Sequence, residues 1–188
     1  MKKLLFIAAI ALISTNLSAQ NKGVNHFEVG AGYAPFYLSH GDDALNKKFE
    51  VLTYFEWRHE AGKHFDYGAR LDYKIGESTG MSKVNKSGDG AYKNYQGVTH
   101  FIGALAVAEY RILPDRKVNP YIGIGAGPAL EVNVLKVSDP RTEFLVTTSP
   151  WIGLELFQHI RISAGLNFPV TNLHGEYMPV WFCLGWTF

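Results

Sequence analysis

Apolar and polar side chains alternate residue by residue along most of the chain beyond its leading segment. A period of two marks β-strands with one apolar and one polar face. The clearest run is His64 to Lys74, where Phe65, Tyr67, Ala69, Leu71 and Tyr73 alternate with Asp66, Gly68, Arg70 and Asp72. Seven further runs read the same way, at 25–34, 49–59, 97–112, 119–130, 148–156, 160–168 and 178–188. In the last, Val180, Phe182, Leu184, Trp186 and Phe188 oppose Trp181, Cys183, Gly185 and Thr187. Residues 101–108 are apolar on both faces. There the parity is set by Glu109 and Arg111 facing one way and Tyr110 and Ile112 the other.

Eight strands with alternating connections predict an up-and-down meander. The connections at 60–63, 113–118 and 157–159 are short. Between them lie long polar segments at 35–48, 76–96, around 137–141 and at 169–177. Proline cannot donate to a strand ladder. Its positions at 35, 120, 128, 150, 169 and 179 are therefore expected at strand starts or ends, and those at 114 and 140 in connections. Short turns at one end and long loops at the other are the asymmetry of transmembrane barrels.

Alternation alone does not say which face is wet, since a soluble lipocalin-like carrier would keep its apolar side chains inside. The polar face decides for the inverted arrangement. It carries Glu28, Glu50, Glu56, Asp66, Asp72, Glu109 and Glu155 with Arg58, Arg70, Arg111 and Arg161. Lysine is nearly absent from these positions, and Gly30, Gly32, Gly68, Gly103, Gly123, Gly125, Gly165 and Gly185 lie among them. An exposed face has no reason to shed side chains, whereas a narrow lumen needs space for long Arg and Glu chains to pair, with Arg favoured for its bidentate geometry. The eleven charged residues are expected as a lumen ion-pair network. Apolar-face aromatics gather near strand ends: Phe27, Trp57, Phe65, Tyr110 and Phe188 at the short-turn end, and Tyr33, Phe49, Tyr73 and Phe168 at the loop end. They read as two interfacial girdles. The fold class is all-β, an eight-stranded antiparallel up-and-down transmembrane β-barrel. With eight strands its interior should be filled by side chains.

The leading segment fits an export signal. Lys2 and Lys3 precede an apolar run, Leu4 to Ile13, and the small residues Ser18 and Ala19 precede an expected cut between Ala19 and Gln20. That run is about half the length a spanning helix needs. Residues 1–19 are thus expected as a cleaved signal peptide and 20–188 as the barrel domain. The full chain of 188 residues carries 18 Lys and Arg against 17 Asp and Glu. This near balance gives no reason to expect a nucleic-acid partner. Cys183 is the lone cysteine, so no internal disulfide frames the fold.

The terminal Phe188 closes a strand with Phe182, Leu184 and Trp186 at every second position. Together with the leading segment, it resembles the small eight-stranded bacterial outer-membrane β-barrel family of the OmpA/OmpX-like type, in a Bacteroidetes-like version. The resemblance implies an outer-membrane location, membrane lipid as surroundings, and recognition of the last strand by the barrel-assembly machinery. It carries over no other functional residue.

Candidate chemistry is sparse. Gly123-Ile-Gly125-Ala-Gly127 lacks the third glycine spacing and helix of a dinucleotide loop. Small barrels of the lipid A deacylase kind carry a His-x-Ser motif. Here Ser163 follows His159 by four residues, about 13 Å along a strand at roughly 3.3 Å per residue, too far for base and nucleophile. No catalytic, metal or cofactor residue is assigned. The expected role is structural or envelope-stabilising, or surface interaction through loops whose partner the sequence does not name. Small-solute transport, lipid modification and a soluble carrier are the alternatives.

Overall fold

The structure, a computed structural model, describes residues 23–39, 46–83, 92–135, 140–170 and 177–188. Its strand segments are β1 (Asn25–Ser39), β2 (Asn46–Glu60), β3 (Phe65–Lys83), β4 (Tyr92–Arg111), β5 (Val118–Leu135), β6 (Arg141–Leu156), β7 (Ile160–Leu166), β8 (Phe168–Pro169) and β9 (Tyr177–Thr187). Neighbours pair antiparallel. β7 and β8 share one register on β6, from Leu156↔Ile160 to Thr147↔Pro169, and form a single barrel strand interrupted at Asn167. β9 pairs with β1 from Glu28↔Thr187 to Ser39↔Tyr177, which closes an eight-stranded barrel. Closure gives each of the eight barrel strands two neighbours among the described residues, the condition for crossing lipid with strands. Residues 1–19, with the expected cut at Ala19–Gln20, lie outside the described residues.

Three connections at one end are short. The tightest, after Leu156, places Phe157 and Gln158 at φ 54° and 67°, the two positive angles of a type I′ hairpin turn, whose twist matches the flanking strands. At the other end the strands run beyond the predicted limits. Most of the segment expected as a loop at 76–96 is instead a hairpin, paired from Gly76↔Thr99 to Lys83↔Tyr92. β3 and β4 have 19 and 20 residues, against the roughly 9–11 a tilted strand needs to span. Beyond the lipid both faces of a hairpin meet water, so period-two patterning lapses there although pairing continues.

The expectation that prolines sit at strand starts or ends fails at three places, each with its own accommodation. Pro35 falls where β1 slips register against β9 between Tyr33 and Phe36, a bulge that needs no donor from it. Pro128 is paired with Val146 on β6, but the β4–β5 ladder skips from Gly103↔Ala129 to Ala106↔Ala126 at its level. Pro150, well inside β6, has no N–H for the Leu166 carbonyl opposite. Ser149 Oγ lies 3.0 Å from that carbonyl, and its one proton is shared between it and Asn167 Oδ1 at 2.7 Å.

The faces are inverted relative to a soluble barrel. Leu71, Ile102, Ile124, Ile152 and Leu184 all point outward, 53–64% exposed. Every charged residue of the polar face is buried, from Glu56, Arg58 and Asp66 at 1% to Arg111 and Glu155 at 9%. A soluble carrier would have the opposite arrangement. Outward aromatics at the turn end are Phe27, Tyr110, Trp186 and Phe188, with Trp57 and Phe65 half-buried; at the loop end they are Tyr33, Tyr73 and Phe144, with Phe168 half-buried. The side chain of Phe49 lies outside the described residues.

Candidate functional site

The centre of the lumen is a ring of alternating charge. Arg58 on β2 donates from Nη2 to Glu28 Oε2 at 2.8 Å and from Nη1 to Glu109 Oε2 at 3.0 Å. Arg161 on β7 reaches the same two atoms, each at 2.7 Å. Two guanidiniums thus bridge two carboxylates contributed by β1 and β4, across the width of the barrel. The remaining carboxylate oxygens are also occupied. Tyr54 OH donates to Glu28 Oε1 at 2.5 Å, and Trp151 Nε1 to Glu109 Oε1 at 2.9 Å. Buried ions must have their lone pairs and protons met in this way, because an unpaired charge at such depth is costly.

Further pairs extend the ring along the axis. Glu56 Oε1 sits 2.8 Å from Arg58 Nε, and its other oxygen lies 3.6 Å from Arg70. Arg70 Nε donates to Asp72 Oδ1 at 2.6 Å. Toward the turns, Arg111 bridges Asp66 at 3.0 Å and Glu60 at 2.8 Å, and Glu60 also meets His26 at 3.0 Å. Glu155 makes a looser contact, 3.7 Å from Arg161 Nε. Glu50 lies further toward the loops, beside a cavity of about 40 Å³ that it lines with Lys74, Phe101 and Asn167. A larger cavity, about 390 Å³, opens at the turn end between His26, Glu60, Asp66 and Arg111. The charged ring lies between the two.

Aromatic rings pack against these charges, and of them the sequence pattern places only Trp181 on the lumen face. The Arg70 guanidinium carbon lies 3.9 Å from the centre of the Tyr54 ring and 5.2 and 5.4 Å from those of Trp181 and Trp151. Arg161 lies 3.7 Å over Tyr121, and Lys74 Nζ 4.3 Å over Phe101. These distances suit cation–π attraction in a desolvated setting. Lys74 is thus a buried lumen lysine among the arginines. The glycines also serve a use different from the expected one. A Cβ on Gly30 would meet the Tyr54 ring at 2.3 Å, on Gly123 the Trp151 ring at 2.3 Å, and on Gly165 the Trp181 ring at 2.4 Å. They seat rings more than they clear paths for Arg and Glu, though Gly185 leaves room for Glu28 at 2.3 Å.

The last strand presents Phe182, Leu184, Trp186 and Phe188 outward at 48, 60, 47 and 69% exposure, while Trp181 and Cys183 face the lumen. Among the described residues no group of three His, Cys, Asp or Glu is placed to hold a metal ion. No described helix is long and apolar enough to cross a membrane; the apolar belt belongs to strands.

A closed eight-stranded barrel with a charged, filled interior and an apolar belt defines a transmembrane β-barrel of the small bacterial outer-membrane type. Solved structures share that fold. The outer membrane protein OprG of Pseudomonas aeruginosa aligns with a TM-score of 0.54 at 10% identity, covering 87% of this chain and 95% of its own. Neisserial surface protein A aligns at 0.53 and 12%, covering 89% and 100%. Ail, the attachment invasion locus protein of Yersinia pestis, solved with the heparin analogue sucrose octasulfate, aligns at 0.51 and 15%, covering 87% and 99%. No family model and no curated protein matches the chain.

Proposed function

We propose that the protein is a non-enzymatic integral outer-membrane barrel with a sealed lumen, stabilising the envelope and offering its raised β3–β4 hairpin for surface contact. The observation that carries this is the Glu28–Arg58–Glu109–Arg161 ring, whose carboxylate oxygens and guanidinium Nη atoms are turned to one another and to Tyr54 and Trp151, while the two buried Nε atoms face Glu56 and Glu155 without a hydrogen bond. Carboxylates whose oxygens are all taken up in this way are poor candidates for binding a passing solute or activating a substrate. Planar-bilayer recording tests it. The wild type should show no steady conductance, and R58A/R161A should show channel activity; steady conductance through the wild type would sink the proposal. Lipid A mass spectra should be the same with and without the protein.

Two delivery steps belong to the same reading. The N-terminal segment directs export and is cut after Ala19, so mass spectrometry of the membrane-inserted protein should find Gln20 at its start. The outward column Phe182, Leu184, Trp186 and Phe188 is the segment the barrel-assembly machinery reads. F188A should lower the amount of heat-modifiable, membrane-inserted protein several-fold while secretion across the inner membrane continues. Equal insertion of the variant would remove Phe188 from that role.

A further inference from the structure

Two of the short turns end in histidine, and both rings are held in one way. His64 Nδ1 lies 2.8 Å from the Arg111 carbonyl, and its ring stacks on Tyr110 at 5.6 Å and 16°. His159 Nδ1 lies 3.1 Å from the Thr187 carbonyl, and its ring stacks on Trp186 at 5.5 Å and 10°. A carbonyl oxygen only accepts, so Nδ1 carries the proton in both rings. Nε2 is then the atom that gains a proton when the ring becomes charged, and it has no hydrogen bond among the described residues. Both stacking partners are outward aromatics, Tyr110 at 48% and Trp186 at 47% exposure, at the turn-end border of the apolar belt. Charging either ring preserves the carbonyl bond, strengthens the stack as a cation over a π face, and turns Nε2 into a donor.

The surroundings favour an anion. Around His64 stand Lys63, Tyr110, Arg111 and Asp115, and Lys63 engages Asp115 at 2.5 Å. Arg111 is itself committed to Asp66 and Glu60. Around His159 stand Gln158, Trp186 and Thr187, with Lys117 on the adjoining turn, whose carbonyl accepts from Phe157 N at 2.8 Å. Lys63, Arg116 and Lys117 are exposed on the short turns and Asp115, paired with Lys63, is exposed among them, so the rim is net basic where the apolar belt stops.

We propose that the short-turn rim binds anionic phospholipid headgroups, with His64 and His159 donating from Nε2 to headgroup phosphate and binding more tightly as pH falls. This rests on the reading of the chain as a lipid-embedded barrel. Lipid is the occupant that continuity with the apolar belt and the basic charge both select, and imidazole is the side chain that changes charge between about pH 8 and 5.

The test uses the barrel refolded into phosphatidylcholine vesicles with and without phosphatidylglycerol, and spin-labelled lipids report which headgroup is retained at its surface. Wild type should prefer phosphatidylglycerol by about fivefold more at about pH 5.5 than at about pH 8. H64N/H159N keeps a donor for each carbonyl and all the lysines and arginines, and should lose that rise while matching wild type at the higher pH. A rise that persists in the variant, or none in the wild type, overturns the proposal. Proton NMR of wild-type histidines supplies a second measurement. At about pH 5.5 the His64 and His159 ring-proton resonances should differ between phosphatidylglycerol and phosphatidylcholine vesicles, and identical resonances refute the contact. Insertion is read separately by heat-dependent gel mobility, so a wild type that fails to insert would instead overturn the membrane reading.

Discussion

Glu109 is the residue on which the lumen ring depends most. One of its oxygens takes both guanidiniums, Arg58 at 3.0 Å and Arg161 at 2.7 Å, and the other takes the Trp151 N–H at 2.9 Å. E109Q preserves the shape but offers one acceptor and one donor where three donors converge. Whichever way the amide turns, a donor faces a donor, and both arginines lose a counter-charge. Removing one partner of a buried pair costs about 3–5 kcal/mol. For a chain of this size a kilocalorie lowers the unfolding midpoint by about 2–4 °C, so the expected drop is roughly 6–20 °C. The assay is the temperature at which detergent-solubilised barrel converts from its folded to its unfolded gel mobility. E155Q is the control: its contact to Arg161 is 3.7 Å, beyond hydrogen-bond length, and should cost about 1 kcal/mol or less. E28Q/E109Q should lose more than the two single variants together, because Glu28 is the carboxylate that still holds both arginines in E109Q. An E109Q midpoint indistinguishable from that of E155Q would refute the ring as the stabilising centre.

Other perturbations separate the membrane and packing arguments. Ile152 is 64% exposed, a position where lysine would be harmless on a soluble protein. In lipid, I152K should destabilise by about 2–4 kcal/mol, read as a lower denaturant midpoint in vesicles. G68A should largely prevent folding, since its Cβ would lie 1.8 Å from the Trp57 carbonyl oxygen, whereas G103A meets only the Phe101 ring at 3.0 Å and should cost about 1 kcal/mol; refolding yield in detergent compares them. S149A should cost about 1 kcal/mol by stripping the donor that Leu166 and Asn167 share, and less in a P150A background, where a backbone N–H returns to Leu166. Equal costs in the two backgrounds would show that Ser149 does not replace the missing donor.

The parts of this fold legible in the sequence are those where lipid imposes a strict period of two. Asp66, Arg70 and Asp72 against Tyr67, Leu71 and Tyr73 are unambiguous because one face must be apolar and the other shares a narrow interior. Legibility fades at the strand ends, where water bathes both faces and residues 76–83 and 92–96 read as loop. It fades again inside the lumen. Trp181 is placed inside by its register with Cys183 and Gly185, but Trp151, Tyr54 and Tyr121 are apolar by composition and look like outward residues, although stepping by two from Glu155 reaches Trp151 and from Glu56 reaches Tyr54. The partner choices, such as Arg161 with Glu28 from the far end of the chain, depend on closure and shear, which no local pattern encodes. Prolines mislead for a related reason: a hydroxyl or a bulge can supply what the proline withholds.

The inversion of this barrel divides its tryptophans. Trp57 and Trp186 stand on the outer wall, while Trp151 and Trp181 are packed within, their rings 6.4 Å apart. The molecule therefore carries two optical populations, one reachable by brominated acyl chains and the other shielded from quenchers in either phase. Loss of the interior seal should register as a new fraction of emission open to aqueous iodide. Leakiness would then be visible in a cuvette, before any current is recorded.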